Sequence, residues 1–140
     1  MKISTKSQYG LRAIVYLAKS KRICPLKEIS KKETIPFDYL EKIFSKLGKA
    51  GLIGAKKGLK GGYFLISQPK KIKVGEILKI LEGEMALVKC IAKNGKYICP
   101  RERKCETKKL WQKIQNSLNL TLESITLADL LKKNYGKNFT

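Results

Sequence analysis

Hydrophobic residues within the first fifty positions recur with the period of an α-helix. The first such set, at intervals of mostly three and four residues, comprises Leu11, Ile14, Val15 and Ala18. This spacing predicts an amphipathic helix over residues 5 to about 20, with its apolar side in the core. Ser4 is a suitable N-cap for this helix, because its hydroxyl can accept a hydrogen bond from a free backbone N–H of the first turn.

Two shorter helices are predicted to follow. A break at Cys24 and Pro25 separates the first helix from a second one over residues 26–32. Cys24 by itself is typical of a small buried hydrophobic residue. The third helix begins at Pro36, where the missing N–H costs no hydrogen bond, and glycines at 48 and 51 end it. The residues of its apolar stripe are Phe37, Leu40, Phe44 and Leu47.

The segment after the third helix predicts a β-hairpin. Its strands cover residues 52–56 and 62–67, and the turn between them is rich in glycine and lysine. Three helices followed by such a hairpin form a helix-turn-helix with a two-stranded wing. A positively charged tip suits DNA phosphates or a minor groove, although a hairpin of solvated lysines explains this segment equally well.

The second half of the chain is predicted to be helical as well. One helix covers approximately residues 74–82, and a longer one begins near Cys105. The longer helix has an apolar stripe at steps of three and four residues: Leu110, Ile114, Leu118, Leu122 and Ile125, with Trp111 beside it. Thr126 and Asp129 predict the capped start of a short last helix. The predicted fold class is therefore mainly α with a small β wing.

Net charge narrows the range of partners. The chain has 140 residues, which suits one domain, and 31 Lys and Arg against 11 Asp and Glu give a formal net charge of +20. Such an excess attracts polyanions, nucleic acid foremost, although lysine-rich surfaces also serve solubility. The sequence shows neither an apolar leader nor a run long enough to span a membrane. We therefore expect a cytoplasmic protein without a membrane partner.

Three segments, in order and spacing, resemble one bacterial protein family. They are MKISTKSQYGLRAIVYLA, IPFDYLEKIFSKLGKAGLI and GLKGGYFL, and the later VGEILKILEG and ESITLADLL extend the likeness to nearly the whole chain. The family is that of IscR, NsrR and RirA, which are dimeric winged-helix transcription regulators. Most of its members sense iron, nitric oxide or redox state through an iron-sulfur cluster in a loop with three cysteines. The resemblance implies a regulator rather than an enzyme.

The resemblance also implies how the chain is divided and how it binds DNA. Residues 1–83 would form the winged helix-turn-helix domain, 84–105 the cluster loop, and 106–140 the dimerisation helices. The apolar stripe of the long helix would be the homodimer interface: Leu110, Trp111, Ile114, Leu118, Leu122 and Ile125. A two-fold dimer fits a palindromic double-stranded operator.

The residues expected to contact DNA lie in three places. On the outward side of the third helix, the base-reading candidates are Asp38, Tyr39, Glu41, Lys42 and Ser45. Glu41 could accept from a cytosine amino group, or it could be an ordinary partner of Ser45 or a lysine. The wing candidates are Lys56, Lys57, Gly58, Lys60, Gly61 and Gly62, and the phosphate contacts are Lys2, Thr5 and Lys6. The family often has an arginine at the wing position of Lys57, so that bidentate recognition is lost here.

Three of the four cysteines lie in the stretch CIAKNGKYICPRERKC, as Cys90, Cys99 and Cys105. This is the position of the family's cluster loop, and the surrounding lysines and arginines favour the thiolate form that ligates iron. We therefore expect an iron-sulfur cluster of undecided nuclearity. Eight residues separate Cys90 from Cys99, where many relatives have five. Lys108 occupies the position at which some relatives have a histidine ligand.

The fourth ligand is open at this point. In another branch of the family, an acidic residue of the partner subunit is the fourth ligand. The matching position here is Gln8, a neutral amide. The other candidates are Glu84, Glu102, Glu106, Cys24, or a small molecule or water at an open site. Of these arrangements, we expect first a labile cluster that the protein ligates incompletely. Zinc is an alternative metal, because three cysteines and a water would serve it. A regulator without a cluster, responding to a metabolite or partner protein, is also possible on this sequence.

Two other classes of protein, an RNA-binding protein and a thiol redox enzyme, are disfavoured. A basic RNA-binding protein would explain the charge, but its aromatic residues should form stacking platforms, and here they largely follow the stripes of the helix cores. A thiol redox enzyme would need a Cys-x-x-Cys pair or a cysteine supported by histidine. The chain has neither, since it contains no histidine.

Overall fold

The described part of the chain, residues 2–133 of a computed structural model, is mainly helical with one small sheet. The elements are α1 (Thr5–Ser20), α2 (Leu26–Glu33), α3 (Phe37–Lys49), β1 (Ile53–Lys56), β2 (Gly62–Leu65), α4 (Val74–Glu82), α5 (Lys108–Ser124) and α6 (Leu127–Leu131). Residues 1 and 134–140, which belong to the predicted ranges 1–83 and 106–140, lie outside the described residues. The predicted fold class is confirmed.

The core is formed where α1, α2, α3 and α4 pack together with β1. Ile14, Leu40, Phe44 and Leu81 are all fully buried there. Burying one side chain of this size stabilises the fold by about 1.5–3 kcal/mol. Phe44 also meets Tyr63 of β2 edge to face, with ring centroids 5.0 Å apart. The hairpin is thereby packed against the helix that precedes it.

The first helix has the predicted bounds, and its cap is confirmed. Ser4 has extended backbone dihedrals, and its hydroxyl accepts from the Ser7 N–H at 3.2 Å. The third helix begins one residue later than predicted, since Pro36 is its N-cap rather than its first residue.

One position of the predicted α3 stripe is wrong. Leu40, Phe44 and Leu47 are buried, but Phe37 is 39% exposed and Ile43 belongs to the core. Helical side chains point toward the amino end of their helix, so that a side chain in the first turn projects past the packed surface. Periodicity alone does not reveal this end effect.

The two strands are antiparallel and shorter than predicted. Ile53 pairs with Leu65, and Lys56 pairs with Gly62. Cys24, where the sequence predicted only a break, adds a further pairing: its N–H donates to the Tyr63 carbonyl at 2.9 Å, and the Tyr63 N–H donates back at 2.8 Å. Cys24 is fully buried, which confirms its prediction as a small buried residue.

The carboxyl-terminal helices differ in how they attach to the core. α5 begins at Lys108 rather than near Cys105, every residue in it is at least partly exposed, and Ile125 follows its end. α6 has the predicted capping box, in which Thr126 and Asp129 bind each other's backbone N–H. Its Leu127 is fully buried, and the Leu127 N–H donates to the Ile72 carbonyl at 2.8 Å. Among the described helices, none is long and apolar enough to cross a membrane.

Candidate nucleic-acid interface and cysteine loop

The outward side of α3 presents the five predicted base-reading residues. Asp38, Tyr39, Glu41, Lys42 and Ser45 are all exposed, while the opposite side of the helix is buried in the core. No ion pair within residues 2–133 includes Glu41, so that its carboxylate is available as an acceptor. A helix held by one side and polar on the other can enter a major groove.

Tyr39 is held in place by residues of α1 that the sequence analysis missed. The Tyr9 and Tyr39 rings meet edge to face, with centroids 5.6 Å apart. The Arg12 guanidinium lies over the Tyr9 ring at 5.6 Å and pairs with Glu33 of α2. Tyr9 and Arg12 are three positions apart, which makes them neighbours on a helix, but the packing of Tyr9 on α3 has no local signal.

The wing presents its lysines on an exposed turn. Lys56, Lys57 and Lys60 are exposed, as is Gly58, and Leu59 at the tip is fully exposed. The Gly61 N–H closes the turn by donating to the Gly58 carbonyl at 3.0 Å. A side chain at Gly61 would overlap the Lys56 carbonyl oxygen, which accounts for the glycine. The wing is a compact cationic loop suited to contact phosphates.

The amino end of α1 brings together the predicted phosphate contacts. Lys2 and Thr5 are exposed and Lys6 is partly exposed. The first turn has no acidic residue, so that its free N–H groups and the two lysines favour an anion there. The neighbouring Ser4 N–H donates to a Glu82 carboxylate oxygen at 2.7 Å, which attaches this end to α4.

The cysteine loop, residues 84–105, lies between α4 and α5. Cys90, Cys99 and Cys105 are all free and partly buried. The Cys105 sulfur is 3.3 Å from the Thr107 hydroxyl, which lowers the pKa of that thiol. The loop is attached at its start to α5, because the Gln115 amide accepts from the Leu87 N–H and donates to the Met85 carbonyl, at 2.8 and 2.9 Å.

Lys108 lies near two of these cysteines, at the position where some relatives have a histidine. Its ammonium group pairs with the Glu102 carboxylate, which raises the pKa of Lys108. Cys90 and Cys99 contribute to the same upward shift. The thiols have the chemistry of iron-sulfur ligands, but within residues 2–133 no three Cys, Asp or Glu side chains meet as a metal site would require.

The candidates for a fourth ligand lie at different distances from this region. Glu102 adjoins it through Lys108, and Glu106 is exposed next to Cys105. Gln8 is exposed on α1, where its amide donates to the Ile3 carbonyl at 2.9 Å. Glu84 accepts from the Lys93 N–H within the loop, and Cys24 is buried beside the wing. The structure therefore brings only Glu102 into contact with the group around Lys108.

The predicted dimer stripe is partly covered by its own chain. Leu118 and Leu122 are partly buried against the rest of the molecule. Leu110 and Ile114 are 50% and 40% exposed, and Leu120, which the stripe did not include, is 68% exposed. Large apolar side chains therefore remain on the surface of α5.

Fold and surface together define a winged-helix DNA-binding protein. The family model described as Rrf2, an iron-dependent transcriptional regulator, matches residues 3–133. The chain belongs to the Rrf2 family and is a transcription regulator rather than an enzyme. The transcriptional regulator IscR of Vibrio atlanticus is 35% identical over 136 residues, 96% of this chain and 77% of the relative.

Two solved structures are similar over most of the chain. IscR of T. potens has a TM-score of 0.74 and 36% identity, and the match covers 94% of this chain and 86% of that one. CymR, the global cysteine regulator of B. subtilis, has a TM-score of 0.76 and 35% identity, with 94% and 96% covered. The resemblance seen in the sequence is thereby confirmed.

Proposed function

We propose that this protein binds operator DNA as a homodimer and that a metal cluster on Cys90, Cys99 and Cys105 controls its affinity. The observation that supports this most is that Cys90, Cys99 and Cys105 lie in one loop directly before α5, where Cys90 and Cys99 help to raise the pKa of Lys108. The relatives named IscR and the description of the family as iron-dependent support the same function.

DNA recognition would use three elements of one domain, residues 1–83. The exposed side of α3 would enter the major groove, the lysines of the wing would contact phosphates or the minor groove, and the amino end of α1 would contact the backbone. Residues 106–140 would form the dimer arm, because α5 leaves Leu110, Ile114 and Leu120 on its surface. A two-fold dimer would place two α3 helices on a palindromic site.

In the cysteine loop, the thiolates of the three cysteines would be the ligands, and Glu102 is the best placed fourth one. The charge and the stability of an iron-sulfur cluster would change with its redox state. The cations of the loop would offset the negative charge of the thiolates. Lys108 and Glu102 would have to separate before Glu102 could ligate, since the two form an ion pair.

DNA binding is tested by salt dependence with duplexes selected from a random-sequence library. The double variant Lys57→Ala with Lys60→Ala should weaken binding to all DNA sequences alike. It should also lower the slope of log affinity against log salt by about 0.9 for each lost phosphate contact. Glu41→Ala should instead change the base preference. Unaltered selectivity of Glu41→Ala would mean that this side of α3 does not read bases. Preference for structured RNA over every duplex would support the RNA-binding alternative.

Cluster binding is tested by preparing the protein without oxygen, with iron and sulfide supplied. We expect visible absorbance and bound iron, and we expect both to be lost when any one of Cys90, Cys99 or Cys105 is changed to Ala. Cys24→Ala is the matched control, because its buried thiol lies beside the wing. Glu102→Ala should weaken retention more than Glu106→Ala or Gln8→Ala.

A regulator without a cluster is the second candidate function. It is supported by the separation of the three thiols within the described residues and by the likeness to the cysteine regulator CymR. If the wild-type protein binds no iron and shows no visible absorbance after the same preparation, a regulator without a cluster is favoured. Zinc in place of iron would identify the alternative metal.

A further inference from the structure

Glu82, the last residue of α4, binds the amino end of α1. One of its carboxylate oxygens accepts from the Ser4 N–H at 2.7 Å, across 78 positions of sequence. The hydroxyls of Ser4 and Ser7, together with the Ser4 N–H, lower the pKa of Glu82, and Lys6 contributes to the same shift. Ser7 is fully buried, and it is the only buried polar residue among the described ones.

The packing around this contact is close. Gly10, in the second turn of α1, lies so near the Leu81 side chain that a Cβ there would overlap it. The Lys46 ammonium group of α3 donates to the Leu81 carbonyl at 3.2 Å. The carboxyl end of α4 therefore fixes both the first turn of α1 and the last turn of α3, the two helices expected to contact DNA.

We propose that Glu82 is a positioning residue for DNA binding, which holds the first turn of α1 so that Lys2 and Lys6 can contact phosphates. This inference rests on the phosphate contacts of the proposed function. The carboxylate fixes the backbone at Ser4 directly between the two lysines. Without this anchor the first turn would fray, because the initial N–H groups of a helix have no partner within it.

The competing role is electrostatic. Lys6 lies near enough to lower the pKa of Glu82, so the carboxylate could merely neutralise a cation that would otherwise bind DNA. The two roles predict opposite results. Removing a neutralising charge would strengthen DNA binding, whereas removing an anchor would weaken it and reduce the number of phosphate contacts.

Glu82→Gln and Glu82→Ala separate the two roles, because glutamine keeps an acceptor oxygen and loses the charge. With a duplex selected from a random-sequence library, we expect Glu82→Ala to bind about tenfold more weakly. We also expect its slope of log affinity against log salt to fall by about 0.9 to 1.8, the loss of one or two phosphate contacts. Glu82→Gln should retain most of the wild-type slope. Glu76→Ala is the control, since Glu76 is exposed on the same helix.

A second pair of variants tests the anchor from its other side. Ser4 has φ −64° and ψ 154°, which proline can adopt, so Ser4→Pro removes the N–H that Glu82 binds. Ser4→Ala removes only the hydroxyl. We expect Ser4→Pro to lower the slope of log affinity against log salt further than Ser4→Ala does. These variants replace Glu82→Ala if that variant does not fold.

The outcomes distinguish this inference from the proposed function. Tighter binding by both Glu82 variants, or an unchanged slope for Glu82→Ala and Ser4→Pro, would overturn the positioning role while DNA binding stands. Absence of duplex binding by the wild type would overturn both. Repeating the measurement with Cys90, Cys99 and Cys105 changed to Ser should give the same Glu82 effect, because the anchor does not involve the loop.

Discussion

The DNA-binding region and the cysteine loop are built by opposite means. Within the described residues, every buried hydrophobic side chain except Leu127 lies at or before Leu81. The loop from 84 to 105 has only short turns, and Tyr97 and Ile98 are exposed in it. Dense packing gives the first region one arrangement, whereas few buried contacts allow the second to rearrange at little cost.

This difference would suit the proposed function, in which the DNA-binding surface stays constant and the cysteine loop changes. The exposed side of α3 is fixed because its other side is fully buried. In the cysteine loop, by contrast, the Cys105 sulfur has a local contact with the Thr107 hydroxyl, and Glu102 pairs with Lys108. A ligand could reorganise these contacts without disturbing the core.

The largest expected effect comes from removing a core side chain. Phe44→Ala should lower the free energy of unfolding by about 3–5 kcal/mol, because it leaves a cavity under α3 and removes the contact with Tyr63. Urea denaturation followed by circular dichroism measures this. Ile98→Ala in the loop is the matched control and should stay within about 0.5 kcal/mol of the wild type. A comparable loss for Ile98→Ala would mean that the loop belongs to the packed structure.

An intermediate effect is expected at the base of the wing. Gly62 has φ +154°, and a Cβ there would overlap the Cys24 carbonyl oxygen, so Gly62→Ala should strain the pairing of Cys24 with Tyr63. We expect a loss of about 1–3 kcal/mol in stability and a further loss of DNA affinity as the wing shifts. Gly48→Ala is the control: a Cβ there would make only van der Waals contact, with the Ile53 carbonyl oxygen at 3.9 Å, and the change should stabilise α3 by about 0.5–1 kcal/mol. Equal DNA affinity for the wild type and Gly62→Ala would show that the position of the wing contributes little to DNA binding.

The smallest effect concerns the cap of α6 and depends on pH. The Thr126 N–H, with Lys132 and the Thr126 hydroxyl, lowers the pKa of Asp129 from 3.8 to about 2. Since the folded-state pKa is depressed, the carboxylate contributes stability above pH 3.8, and this is lost as the pH falls toward 2. Asp129→Asn should therefore be less stable than the wild type at pH 7.

Urea midpoints of the wild type and Asp129→Asn at pH 7 and pH 2 measure this contribution. The difference should largely close at pH 2, where the Asp129 carboxyl is protonated in the unfolded chain and about half protonated in the folded one. A difference that stays constant across this range would indicate a role in packing rather than in charge. The result sharpens the contrast between α6, which enters the core through Leu127, and the loop, which does not.

Local patterns predicted most of the helical framework. The period of apolar residues located α1, α2, α3 and α4, and the hydroxyls of Ser4 and Thr126 marked two helix starts that the structure confirms. These features depend on residues within one or two turns of each other, so the sequence contains them directly. The start of α5 was placed too early, because the backbone is extended at Cys105 and residues 106–107 form a turn before the helix begins.

The contacts that join the elements were decided only by the tertiary structure. Cys24 pairs with Tyr63, Glu82 binds Ser4, Lys46 binds Leu81, and Tyr9 supports Tyr39. Each pair is separated by 30 positions or more, and a periodic pattern holds no information about which distant residues meet. The sequence by itself therefore determined the class of fold, the exposed polar side of α3 and the presence of three thiols near cations in the sequence. How the helices are fixed to one another follows from packing that only the folded chain defines.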